Sequence, residues 1–318
     1  MSQKIKLALL AGGKSGERKV SLRGAAEVEK ALDPNKYEVR RYDPACDMAR
    51  LAADAPRLDA AFILLHGLMG EDGTVQGFLD LLGLPYQGAG VLGSALAMDK
   101  ALSKTIYRDS GLPTPDWRMA RGSNDDHSLL IKELGLPLVV KPLRQGSSIG
   151  MSIVQQAADL KAALGLAFRH DREVMVEQYF QGREITVGVL GNDELQALPL
   201  VEIIPGREFA FFDYQAKYQA GASREVCPAE LSPEITSQAQ EYALRAHKAL
   251  KLRGYSRTDM IVNQKGIFLL ETNTIPGMTP TSLLPRAAAA AGLPFPALLD
   301  RLIELALQET GGRKQETD

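Results

Sequence analysis

"YSRTDMIVNQKGIFLLETN", residues 255–273, contains two apolar runs, each carrying acid at a strand-like position. In an extended chain, residues two apart share a face, so Glu271 and Asn273 point the same way. On an adjacent strand, Asp259 of "RTDMIV" can face them. Two carboxylates and an amide oxygen suit a hard cation such as Mg²⁺, which keeps water and phosphate oxygens in its shell. Taken alone, Asp259 reads as an ordinary polar strand residue. Taken together and followed by "PGM" at 276–278, the three favour a metal site.

The chain before this pair divides by pattern. "IKLALLAGG" reads as a strand entering a glycine turn, "SLRGAAEVEKALD" as a helix, and "LDAAFILLHG" as a buried strand. Strands alternating with helices predict a mainly parallel wound sheet over residues 1–97. "ALAMDKALSKTIYRDS" reads as one helix, closed by the turn-rich "GLPTP" that marks a domain entrance. "LPLVVKPLRQGSSIGMSIV" reads as two strands around a glycine-serine loop. With the following helix and "EVMVEQYF" it predicts a small antiparallel α+β unit over 98–186. A C-terminal α+β unit is expected over 187–318, with an aromatic-rich loop at 206–222.

Three further stretches carry chemistry. Lys141 emerges from the apolar run "LVVK", and a desolvated lysine calls for an anionic partner. The loop behind it offers backbone amides and serine hydroxyls, including Ser147 and Ser148, for phosphate oxygens. The lysine precedes the loop, so the GxxxxGK[ST] arrangement is excluded, and a plain hairpin turn is the blander reading. "GGKSGERKVS" does not satisfy GxGxxG, and Glu17 falls where a helix begins. It reads as a surface acid or as a partner for a substrate ammonium. His66 ends an apolar strand, where open α/β sheets hold ligands, and its structural and functional readings stand about even.

Apolar content of 45% and charged content of 24% describe an ordinary globular protein. A net charge of −2 argues against nucleic acid or anionic membrane as partner. Cys46 and Cys227 form no CxxC pair, so no disulfide framework is expected. The N-terminal apolar run is too short for a signal peptide and no stretch is long enough to span a bilayer, so a cytoplasmic location is expected.

The motifs "GGKSGERKVS", "HGLMGEDGTVQG", "MDK", "VKPLRQGSSIGMS", "YQAKY" and "ETNTIPGMTPTSL", in this order, resemble the D-alanine–D-alanine ligases of the ATP-grasp superfamily. The resemblance covers nearly the whole chain. It implies three domains, with nucleotide gripped between the second and third. It implies ATP-dependent joining of two D-alanines through an acyl phosphate, giving a cell-wall precursor dipeptide. ATP as co-substrate, two Mg²⁺ (or Mn²⁺) ions and a homodimer come with it.

Carried over by position, Lys100, Lys141 and Ser148 would contact ATP phosphates, with Lys217 reaching the terminal one. Glu177 and Tyr179 would flank the adenine, and Glu184 would take the ribose hydroxyls. Asp259, Glu271 and Asn273 match the metal ligands. Glu17 would hold the first D-alanine's ammonium, with Ser147 and Tyr218 completing a hydrogen-bonded group and His66 nearby. Arg257 and the Gly277 amide would stabilise the oxyanion, and Ser282 and Leu283 would bind the second D-alanine. The chain departs from the family pattern at Gln145, where many members carry an acid, and at Gln178, where lysine is common. The second change removes a contact to adenine or the α-phosphate. The loop 206–222 would act as a lid that excludes water from the acyl phosphate.

One alternative is a ligase of the same architecture with D-lactate or D-serine as second substrate. In the resembling family a tyrosine at the place of Tyr218 goes with an amine nucleophile, which favours the dipeptide. A two-lobed binding protein without chemistry is a second alternative, opposed by the Asp259, Glu271 and Asn273 set.

Overall fold

The computed structural model describes residues 3–122, 127–206 and 223–313. Its three sheets follow one another along the chain. The first has β1 (Ile5–Leu10) at its centre, flanked in parallel by β2 (Tyr37–Tyr42) and β3 (Ala60–Ile63). Leu7 to Leu10 are fully buried, so both faces of β1 are covered and the run is apolar rather than alternating. Helix α1 (Arg18–Ala31) follows β1, and α2 (Met48–Asp54) follows β2. Because β2 and β3 lie on opposite sides of β1, a crevice opens at the carboxyl ends of β1 and β3. Glu17 and His66 are carried by the loops at that crevice.

Helices α3 (Thr74–Leu81), α4 (Val91–Met98) and α5 (Lys100–Asp109) lead out of this unit. The sequence predicts one helix through 95–110, but the chain breaks at Asp99, which is extended (φ −86°, ψ 101°). The Asp99 carboxylate accepts hydrogen bonds from the Ala101 and Leu102 amides and so starts a second helix. Helical periodicity runs through the break because both helices bury the same kind of residue. Lys100 thereby becomes a first-turn residue.

The second sheet holds β4 (Trp117–Ala120), β5 (Leu138–Pro142), β6 (Ser152–Val154) and β7 (Val174–Gln178) in the order β4-β7-β5-β6, all antiparallel. Helices α6 (Ser128–Leu134) and α7 (Leu160–Ala167) pack on one face through Leu134, Leu160 and Leu164 against Leu138, Val140, Val174 and Val176. Each fully buried leucine or valine there contributes roughly 1.5–3 kcal/mol. Period-two alternation sends Val139, Lys141 and Glu177 to the opposite face.

The third sheet holds β8 (Arg183–Gly191), β9 (Gln196–Ala197), β10 (Val201–Pro205), β11 (Ser223–Val226), β12 (Gly254–Asn263) and β13 (Gly266–Asn273). Its order is β11-β10-β8-β12-β13, with β9 on β8. Helix α8 (Pro233–Ala249), N-capped by Ser232 with Pro233 in its first turn, buries Ala239, Ala243 and Ala246 on this sheet. Helices α9 (Leu283–Ala290) and α10 (Phe295–Arg313) join the N-terminal sheet instead. Leu284, Leu298 and Leu302 share one core with Leu7, Leu9 and Phe62, which ties the first and last parts of the chain together.

Candidate active site

A cleft separates the free face of the second sheet from β12 and β13. Val139, Lys141 and Glu177 form one wall, and Ile261, Leu270 and Phe180 line the other parts. Tyr179, Glu184 and Ser148 also reach it. Lys141 donates to Glu177 Oε1 at 2.5 Å, and Lys104 Nζ lies 2.9 Å from Glu177 Oε2. Burial works to raise the Glu177 carboxyl, but the two ammonium groups outweigh it and hold it lowered. Slots with apolar walls and a few buried charges suit a planar heterocycle carrying phosphates.

Lys100 reaches the cleft from the start of α5. Its ammonium donates to the Gln145 carbonyl at 2.8 Å and lies 3.5 Å from Glu271 Oε2. The loop after β5 is drawn tight. Ser147 and Ser148 take left-handed φ of 51° and 56°, a conformation costing about 1–2 kcal/mol per non-glycine residue. Ser147 Oγ donates to the Glu17 carboxylate, which joins the loop to the N-terminal unit. Gly146 makes this approach possible, because a Cβ there would lie 2.8 Å from Glu17 Oε2. Arg144, one residue before Gln145, pairs with Asp99 at 2.8 Å and with Glu173 at 2.7 Å. It anchors the base of the loop to the cap of α5.

A second chamber opens beyond this loop. Glu17, His66, Ser147, Arg257, Gly277 and Ser282 all line it, and Leu283 stands at its edge. Glu17 immediately precedes α1 and is buried. Burial lowers the His66 imidazole below its ordinary value, against the pull of Glu17, so the ring is neutral near pH 7. Ser282 precedes α9, and its hydroxyl accepts from the Thr279 amide at 3.2 Å. The chamber holds two acids that the sequence reading left unassigned, Glu71 and Glu225. Glu71 accepts from the Gly67 amide at 2.6 Å, and burial pushes it up to about 8, with Glu17 adding to the rise. In "HGLMGEDGTVQG" this residue looks like any loop glutamate. Only the fold turns it inward.

Asp259 and Glu271 line both chambers and mark their junction. They are direct cross-strand partners, and Arg257 pairs with Asn273 in the same register. All four therefore share one sheet face, as the alternation in 255–273 predicts. Arg257 binds Asp259 at 2.8 and 2.7 Å, while Thr186 donates to Asp259 at 2.7 Å and the Asn273 amide at 3.1 Å. Among the described residues no three His, Cys, Asp or Glu side chains converge as a metal cluster, so a third protein donor here would be the Asn273 amide oxygen. This all-oxygen set fits a hard divalent cation that keeps water and phosphate in its shell. Arg257 and Lys100 are its present counter-charges.

Lys217, Tyr218 and the rest of the expected lid from 207 to 222 lie outside the described residues. The structure brings the other sixteen expected residues to one or other chamber. Lys104, Glu71 and Arg144 are among the neighbours the sequence reading missed. Lys104 alone had a signal: it follows Lys100 by one helical turn and so shares its face.

The chain matches the family model described as D-ala D-ala ligase C-terminus over residues 106–304, and the model described as D-ala D-ala ligase N-terminus over 43–89. It is 60% identical to a D-alanine–D-alanine ligase of Syntrophobacter fumaroxidans, covering 97% of this chain and 99% of that one. It is 58% identical to a D-alanine–D-alanine ligase of Desulfotalea psychrophila, over 98% of both. Among solved structures, it resembles the D-alanine–D-alanine ligase of Bacillus anthracis complexed with ATP, at 36% identity and a TM-score of 0.85, covering 97% of this chain and 99% of that one. With the two-sheet cleft, the loop bridging Glu17 to Ser147 and near-complete coverage in agreement, the chain belongs to the D-alanine–D-alanine ligase family, of ATP-grasp architecture.

Proposed function

We infer that this protein joins two D-alanines to D-alanyl-D-alanine with ATP, through a D-alanyl phosphate, for cell-wall precursor synthesis. The observation that carries this is the meeting of two chambers at Asp259 and Glu271. One chamber has the walls and lysines for a nucleotide. The other has an acid, a neutral imidazole and hydroxyls for a small amino acid. A carboxylate becomes a usable electrophile only when phosphorylated, so both reactants must meet at one junction.

Within this proposal, Glu177 and Tyr179 hold the base and Glu184 holds the ribose. Lys100, Lys141, Lys217 and Ser148 hold phosphates. Asp259, Glu271 and Asn273 would hold Mg²⁺ or Mn²⁺, two ions in all. Bound there, the metal supplies charge neutralisation at the phosphate oxygens. Glu17 takes the first D-alanine's ammonium and is itself positioned by Ser147 and Tyr218, with His66 beside it. Ser282 and Leu283 bind the second D-alanine, whose free amine attacks the acyl phosphate carbon. Arg257, held rigid by its paired bonds to Asp259, and the Gly277 amide stabilise the oxyanion. Expulsion of phosphate then completes the amide. The 206–222 segment would keep water from the acyl phosphate.

A homodimer and a cytoplasmic location belong to the same proposal. Leu81 and Leu92, 89% and 61% exposed on adjacent helices, support a subunit contact. Among the described residues no helix is long and apolar enough to cross a membrane. The relatives named D-alanine–D-alanine ligase stand at 58–60% identity, against 33% for the D-Ala:D-Ser ligase of Enterococcus faecalis. D-lactate or D-serine as second substrate is therefore not favoured. The test is phosphate release with mass analysis of products. D-alanine alone should give one dipeptide per phosphate. Turnover that requires D-lactate or D-serine would overturn the assignment.

A further inference from the structure

Lys104 is the one fully buried lysine of α5, with none of its surface exposed, and no step above uses it. Its ammonium donates to Thr114 Oγ1 at 2.6 Å, and Thr114 in turn donates to the Leu269 carbonyl at 2.8 Å. It lies 2.9 Å from Glu177 Oε2 and 5.8 Å from the centre of the Trp117 ring. Lys141 approaches the other oxygen of the same carboxylate at 2.5 Å. One buried acid thus stands between two buried ammonium groups, with Glu271 adding a more distant negative charge that acts on Lys104. Removing one partner from such a buried cluster leaves a charge without its full compensation, which is costly.

The two lysines are not equivalent. Lys141 lines the cleft, and Lys104 stands behind the wall. Lys141 can therefore exchange Glu177 for an incoming ligand, while Lys104 cannot leave. Glu177 Oε2 also has acceptor capacity left. Lys104 Nζ, 2.9 Å away, is the described group within reach of that oxygen. Burial pushes Lys104 down to about 8, and Glu177 opposes that fall, so near neutral pH the group is still mainly an ammonium.

We propose that Lys104 is a positioning residue for the nucleotide: it fixes the Glu177 carboxylate toward the base's amino group and frees Lys141 to move to the phosphates. This rests on the reading of Glu177 as a base contact. Lys100 and Lys104 then act as a pair one turn apart on α5, the first on the phosphate side and the second behind the base. Without Lys104, Glu177 would keep Lys141 as its sole counter-ion and lose its fixed direction.

The experiment compares ATP with inosine triphosphate, which carries a carbonyl where adenine has its amino group, on the whole enzyme. Lys104→Met should raise KM for ATP about ten- to a hundredfold, the span of one hydrogen bond to a charged group. The ATP preference over inosine triphosphate should shrink by a similar factor, while kcat and KM for D-alanine hold within about threefold. A general packing defect would weaken both nucleotides alike and leave the preference unchanged, which would overturn the proposal. Thr114→Val keeps the lysine but removes its hydroxyl seat, and provides the same measurement if Lys104→Met does not fold. It should shift the preference in the same direction, and an unchanged preference there would equally overturn the proposal. Glu177→Gln separates the two levels. If it leaves base preference intact, the base-contact reading itself fails. If it abolishes the preference while Lys104→Met does not, only the role of Lys104 fails.

Discussion

Asp99 joins fold and site at one residue, and its removal can be worked through. Its Oδ1 accepts from Ala101 and Leu102 at 3.2 and 3.1 Å, which caps α5. Losing such a cap costs about 1 kcal/mol. Its Oδ2 accepts from Arg144 at 3.2 and 2.8 Å. A hydrogen bond to a charged group contributes roughly 1.5–3 kcal/mol when shielded. The Arg144 side chain is 38% exposed and also holds Glu173, so solvent and the second partner reduce the loss. About 1 kcal/mol is the reasonable share. Asp99→Ala should therefore destabilise by about 2 kcal/mol, and Asp99→Asn, which keeps a capping oxygen, by about 1 kcal/mol. Denaturant unfolding of the two variants beside the parent measures both. Lys100 follows the cap directly, so KM for ATP should rise more in the Ala variant than in the Asn variant. Equal stability of the two variants would refute the division between cap and ion pair.

Gly146→Ala places a methyl 2.8 Å from Glu17 Oε2, so KM for D-alanine should rise by a larger factor than KM for ATP; an unaltered KM for D-alanine would contradict the bridge between Ser147 and Glu17. Glu271→Gln should abolish ligation with melting temperature retained, and near-normal turnover at ordinary Mg²⁺ would sink the metal assignment. His247, buried in α8 with Nδ1 2.8 Å from Ser256 Oγ, is pushed by burial to about 4 from an ordinary 6.5. Above the ordinary value both folded and unfolded states are neutral. Between 6.5 and 4 only the unfolded state takes the proton, so stability should fall by about 1.4 kcal/mol per pH unit, roughly 2 kcal/mol by pH 5. Replacing His247 with Asn should flatten that slope, and an equally steep slope in the variant would show that other groups cause it.

Local periodicity alone determined much of this protein. The alternation in 255–273 placed Asp259, Glu271 and Asn273 on one face because a strand's period of two is a property of the backbone. The apolar runs around Lys141 and before His66 declared buried strands in the same way, since only burial on both faces tolerates them. What remained hidden involves contacts between residues far apart in the chain. Ser147 meets Glu17 across 130 positions, and Lys141 meets Glu177 across 36. No local signal encodes such distances, because the hydrogen bond depends on how three sheets are docked. The break at Asp99 was invisible for a related reason: an aspartate can sit within a helix or cap the next one, and Arg144 from another unit holds it as a cap. Glu71 and Lys104 are the clearest cases. Each is a charged side chain that sequence assigns to solvent, yet Lys104 is fully buried and Glu71 partly so, because tertiary structure supplies partners that offset the desolvation. For Lys104 the partners are Glu177 and Thr114. For Glu71 they are the Gly67 amide and the proton it retains up to about pH 8.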